Sequence, residues 1–146
     1  MPSNAMSQKP RRKSPEAEMQ KSIMRFVFAQ QAQHPELKLL YHPANGGYRT
    51  PREAGEFRAM GVRPGVSDLH LPVRNALNQY IGLWIELKSG KNTVTGEQAE
   101  WLRVMQLQGH RVCTCRTVSQ ALHIIACYIG ADWSHELHQM PESPSP

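Results

Sequence analysis

DLHLPVRNALNQYIGLWIELK, residues 68–88, reads as two alternating strands joined by a polar turn. In the first, Leu69, Leu71 and Val73 fall on one face. In the second, Leu83, Ile85 and Leu87 alternate with Trp84, Glu86 and Lys88. Arg74 to Tyr80 is polar enough for a connecting loop. Paired antiparallel about Leu77, the strands set Asp68 opposite Glu86 and His70 opposite Trp84. Directly opposed residues hold their Cβ atoms about 4.5–5.5 Å apart. Glu86 and Lys88 share the face that Asp68 takes, because side chains repeat every second residue. Two carboxylates and an ammonium thus converge at one end of a hairpin whose other face is apolar.

Ser14-Pro15-Glu16 opens a helix, with Ser as cap, Pro in the first turn and Glu at the positive end of the dipole. Met19, Ile23, Phe26 and Val27 form its apolar stripe to about Gln33, and His34-Pro35 ends it. Leu37 to Tyr41 is expected as a short buried strand, and His42 to Gly47 as a turn-rich loop. A second helix runs from Pro51 to Met60, with Gly61 as its C-terminal cap. Beyond the hairpin, Thr95 and Gln98 fit a capping box. Their helix carries Trp101, Leu102 and Met105 to Gly109; Trp101 is expected in the core and Trp84 partly exposed. Arg111 to Cys115 is a strand, and a last helix passes Leu122, Ile125 and Ile129 to Gly130. This order predicts an α/β fold, a mixed central sheet flanked by helices. Residues 1–13 read as a disordered basic arm, 14–130 as one domain and 131–146 as a flexible tail.

The chain has 146 residues, with a formal charge of +5. Such a balance suits a polyanionic partner, although many small proteins are mildly basic. No apolar run approaches the ~20 residues of a membrane span. The polar, basic N-terminus lacks an apolar signal region, so the expectation is a cytoplasmic protein without a membrane partner. Three cysteines, Cys113, Cys115 and Cys127, argue against a disulfide framework and read as buried free thiols. No Gly-rich phosphate loop of the P-loop or Rossmann type is present, which leaves a small-molecule nucleotide enzyme without support.

Adjacent carboxylates repel and call for a cation. Their oxygens favour Mg²⁺ or Mn²⁺. Magnesium takes one or two carboxylates, keeps several waters and leaves room for a phosphate. Asp68, Glu86 and Lys88 therefore read as the catalytic residues of a phosphodiester-cutting enzyme, against the plainer reading of a surface salt bridge. Gln98 either caps its helix or reaches the site. His42 and His70 read as hydrogen-bonded bystanders before metal helpers.

Asp68 followed after a hairpin by Glu86-x-Lys88 resembles the PD-(D/E)xK nucleases, and more narrowly their VRR-NUC family of the stand-alone phage and bacterial type. Glu16-Ala-Glu-Met-Gln20 is similar to that family's opening helix. His42-Pro-Ala-Asn45-Gly46-Gly47-Tyr-Arg49 is similar to its Asn-Gly-Gly loop. Gly61-Val-Arg-Pro-Gly65-Val-Ser-Asp68 is similar to the turn before the catalytic Asp, with Ser67 in place of the usual Pro. Gln98 and Trp101 match its Gln-x-x-Trp helix. The resemblance spans residues 14–130 and implies a restriction-endonuclease-like fold. It implies metal ligands at Asp68, Glu86, the Leu87 carbonyl and a helix glutamate, Glu16 before Glu18. It implies supporting or DNA-binding roles for Gln20, Asn45, Gly46, Gly47, Arg49 and Gln98. The activity implied is that of an Mg²⁺- or Mn²⁺-dependent DNA endonuclease acting on branched or junction DNA in a bacterial or phage-infected cell, as a homodimer. The competing class is a non-catalytic DNA- or partner-binding module on the same fold; an intact Asp68, Glu86 and Lys88 argues against it.

Overall fold

The structure, a computed structural model, describes residues 14–44 and 50–141. Asn45, Gly46, Gly47 and Arg49, with the arm 1–13 and residues 142–146, lie outside the described residues. The elements run α1 (Pro15–Gln30), a 3-10 helix (Pro35–Leu39), α2 (Pro51–Ala59), β1 (Leu69–Leu71), β2 (Leu83–Leu87), α3 (Gly96–Leu107), β3 (Arg111–Cys115), α4 (Val118–Ile129) and α5 (Ser134–His138). The sheet order is β1-β2-β3; β1 runs antiparallel to β2, and β3 parallel to it. This is the mixed sheet flanked by helices that the pattern predicts. The hairpin register is also as expected, with His70 opposite Trp84. The parallel β2–β3 pair requires a crossover, which α3 supplies.

β2 is the centre of the molecule, and every one of its residues is buried. On one side Leu69, Leu71, Leu83, Ile85 and Leu87 join Ile23 and Val27 of α1 and Leu122 and Ile125 of α4 in the core. Each such side chain contributes roughly 1.5–3 kcal/mol on burial. On the other side α3 covers Trp84 and Glu86. Ser14 caps α1, Thr50 and Glu53 form a full capping box on α2, and Gly130 ends α4 in the left-handed conformation at φ 75°. Among the described residues no helix is long and apolar enough to cross a membrane.

Four expectations are corrected. Leu37 to Tyr41 is not a strand: Pro35 starts a 3-10 helix that buries Leu37, and Tyr41 alone bridges to His70. Trp84 is only 6% exposed, while Trp101 sits half-buried against its edge, because α3 covers the polar face of β2. The segment expected as a loose tail forms α5 within residues 131–141, anchored by buried Trp133 against Phe26. Of the three free thiols, Cys115 is buried, Cys113 half-buried and Cys127 exposed.

Candidate active site

Asp68 stands one residue before β1 and Glu86 one before the end of β2, so the hairpin register sets them side by side. Asp68 Oδ2 accepts the Leu87 N–H at 2.7 Å, a side chain standing in for a ladder bond. Its backbone is held too: His42 Nδ1 donates to the Asp68 carbonyl at 2.6 Å. His42 therefore acts on the backbone of the acid. Gly65, at φ 78°, lets the preceding turn press against α3, where a Cβ would collide with the Glu97 carbonyl. That close approach brings Asp68 and Gln98 to one groove, which His42, Pro43 and Val66 also line.

Glu86 is 2% exposed and Lys88 6%, so the surface salt-bridge reading fails on burial. Lys88 Nζ lies 3.2 Å from Glu86 Oε1. The same oxygen accepts from Gln98 Nε2 at 2.6 Å, while Gln98 Oε1 accepts the Thr95 N–H at 2.9 Å. Gln98 thus fills both of its expected roles at once, one amide end capping α3 and the other holding Glu86. Glu86 Oε2 is buried with no hydrogen-bond partner. Burial, then the Asp68 carboxylate, pushes Glu86 up to about 7. Burial likewise raises Asp68, against the pull of the Leu87 N–H. An acid pair in this state resists full ionisation until a cation arrives.

Glu16 reaches the same end of the sheet from α1. Its Oε1 accepts from Ser89 N at 3.1 Å, Ser89 Oγ at 3.3 Å and Asn92 Nδ2 at 3.0 Å. Burial opposes ionisation of Glu16, but these hydrogen bonds and the Lys88 charge together lower its pKa. Glu18 instead pairs with Lys21 at 3.1 Å with both side chains well exposed, so Glu16 is the glutamate of α1 that faces the site. Gln20 is half-buried on α1, and its side chain forms no hydrogen bond among the described residues. Ser89 and Asn92 carry no signal in the sequence that marks them for the site. The Asn92 loop is held in turn by Arg116, whose Nη1 donates to the Gly90 and Asn92 carbonyls at 3.0 Å each. Ser67, where the similar family has Pro, is buried with an unpartnered hydroxyl. His70 stacks on Trp84 at 3.8 Å, and burial with neighbouring His110 holds its pKa down at about 4.

The donor set suits a hard divalent cation. Among the described residues no group of three or more His, Cys, Asp or Glu side chains is placed to hold a metal ion. Magnesium asks for less: one or two carboxylates, with waters and phosphate completing its shell. Asp68 and the unpartnered Glu86 Oε2 are the carboxylate groups that would be offered to such an ion. The Leu87 N–H points to Asp68 and the Lys88 N–H to Cys115 on the opposite edge. In an extended strand the N–H and C=O of one residue share an edge, so the Leu87 carbonyl faces the Asp68 side.

No family model matches the chain, and no curated protein matches it. Among solved structures it is similar to a protein described as a VRR_NUC domain protein. The TM-score is 0.68 and the identity 25%, over 84% of this chain and 94% of that one. The chain thus shares its fold with a VRR_NUC domain protein over most of both lengths, a likeness that supports the VRR-NUC resemblance and a nuclease-type domain.

Proposed function

We propose that the protein is a divalent-metal-dependent DNA endonuclease whose catalytic residues are Asp68, Glu86 and Lys88. The observation that carries this reading is the buried acid pair at the hairpin end, with Glu86 Oε2 unpartnered beside an ammonium 3.2 Å from Oε1. Asp68, Glu86 and the Leu87 carbonyl would hold Mg²⁺ or Mn²⁺, with Glu16 next to them. A bound ion would polarise the phosphoryl oxygen and lower the pKa of a water beside it.

The residues of the chain do the remainder. Gln98 and Lys88 fix the Glu86 carboxylate, leaving its second oxygen for the ion. Lys88 donates to the attacking water or to the phosphate as negative charge develops, which stabilises the transition state more than the ground state. Its burial strengthens that interaction, because little water screens it. On the strength of the family resemblance, Gln20, Asn45, Gly46, Gly47 and Arg49 are assigned supporting or DNA-binding roles.

Branched DNA as the favoured substrate, and a homodimer as the working form, belong to the same proposal on the strength of the family resemblance. Supercoiled plasmid, linear duplex and a synthetic four-way junction incubated with Mg²⁺, Mn²⁺ or EDTA test it. Cutting with either metal and none in EDTA is expected, fastest on the junction. Equal cutting in EDTA would overturn the metal dependence. A single-protomer mass by light scattering would overturn the dimer.

A further inference from the structure

The polar face of the hairpin holds a second concavity beside the carboxylates, with a volume of about 520 Å³. Five aromatic or imidazole rings line it: Tyr41, His70, Trp84, Trp101 and His110. Pro43 and Val66 line both this cavity and the groove at Asp68, so the two share a wall. The rings are already ordered. His70 lies flat on Trp84, with centroids 3.8 Å apart and planes within 5°, and Trp101 meets Trp84 edge-on at 5.3 Å. Tyr41 Oη and His70 Nδ1 are hydrogen-bonded at 2.9 Å, which fixes the imidazole.

This wall is unusual for a core. His70 Nε2, Trp84 Nε1 and Trp101 Nε1 are all buried without hydrogen-bond partners. Buried ring nitrogens of this kind are normally satisfied. Trp84 has lost nearly all its contact with water and its N–H has gained nothing in exchange. Among the described residues that line the cavity, Arg63 is the only lysine or arginine. Phosphate recognition relies on several such cations, and the described lining offers one. The accessible ring surface, on exposed Tyr41 and half-buried His70, Trp101 and His110, is instead what unstacked bases bind.

We propose that this cavity receives an unpaired nucleobase of the strand whose phosphate lies at Asp68 and Glu86. The inference rests on the nuclease reading above and adds to it a pocket that senses an unstacked nucleotide beside the bond to be cut. A paired base would first have to leave its stack, at a cost an already unpaired base does not bear.

The test is a binding cycle with Ca²⁺ in place of Mg²⁺. The probes are fluorescein-labelled duplexes carrying one unpaired thymine, matched to duplexes with an abasic residue at the same place. Wild type is expected to prefer the thymine probe roughly tenfold, the loss associated with one base–aromatic contact. Trp101→Ala is expected to bind the two probes about equally. A 2-aminopurine in the unpaired position should be quenched by wild type, a measurement that needs no variant. Equal binding of thymine and abasic probes by wild type, or an unchanged preference in Trp101→Ala, would overturn the pocket. Metal-dependent cutting without base preference would remove the pocket and leave the nuclease. Base preference without cutting under Mg²⁺ or Mn²⁺ would do the reverse.

Discussion

Replacing Glu86 by Gln should leave the metal-free protein more stable at pH 8 than the wild type, even though it removes a proposed metal ligand. Burial and Asp68 raise the Glu86 pKa from the 4.5 of an unperturbed glutamate to about 7. Below pH 4.5 the carboxyl is protonated whether the chain is folded or not, and the site carries no penalty. Between 4.5 and 7 the unfolded chain gives up this proton while the folded one keeps it, so stability falls as pH rises. Above 7 the loss is complete and amounts to at most about 3 kcal/mol. Asp68, also raised, acts in the same direction. The substituted amide would mimic the protonated acid and keep an oxygen for the Gln98 amide, at the cost of leaving Asp68 and Glu16 as the carboxylates near the Lys88 ammonium. For a domain of this size 3 kcal/mol corresponds to roughly 10 °C in melting temperature. Melting curves in EDTA at pH 5 and pH 8 read it out. The wild type should lose several degrees more than Glu86→Gln across that interval. Adding Mg²⁺ at pH 8 should restore the wild type and leave the variant unmoved. Parallel losses in the two proteins would refute the claim that Glu86 is held protonated by its surroundings.

Other outcomes follow from neighbouring contacts. Asn92→Ala removes one of three hydrogen bonds to Glu16 Oε1, and should weaken Mn²⁺ binding on the order of tenfold, as changes behind a metal ligand do; electron spin resonance titration of free Mn²⁺ measures it. Gly65→Ala forces a Cβ into the Glu97 carbonyl at a positive φ, so it should cost at least about 2 kcal/mol of strain and displacement, visible in urea denaturation. Ser67→Ala removes a buried hydroxyl with no partner, and should be neutral or stabilising by up to about 1 kcal/mol, with cleavage retained.

The part of the site set by strand periodicity is legible in the sequence. A repeat of two residues and one turn fix which side chains of residues 68–88 face each other, and the pairing His70–Trp84 follows. Short apolar runs carry no such rule. Leu37 to Tyr41 has the look of a strand, but Pro35, which favours the first turn of a helix, outweighs the apolar run after it. The two tryptophans exchange places because periodicity says which residues share a face, not which helix lies over it. Gln98 is legible as a cap from Thr95, whereas its second bond to Glu86 depends on how α3 sits across the sheet. Asn92 leaves no local signal at all: it meets Glu16 across 76 residues of chain, and only the fold brings them together.

In the proposed function Asp68, Glu86 and Lys88 form one metal-dependent phosphodiesterase site. Single-turnover cleavage of plasmid in Mn²⁺ by wild type, Asp68→Asn, Glu86→Gln and Lys88→Met tests it most directly. Measurable cutting by the wild type is expected, with a loss of at least about a hundredfold in each variant, the scale of removing one transition-state contact. Cutting by Asp68→Asn and Glu86→Gln at the wild-type rate would contradict it.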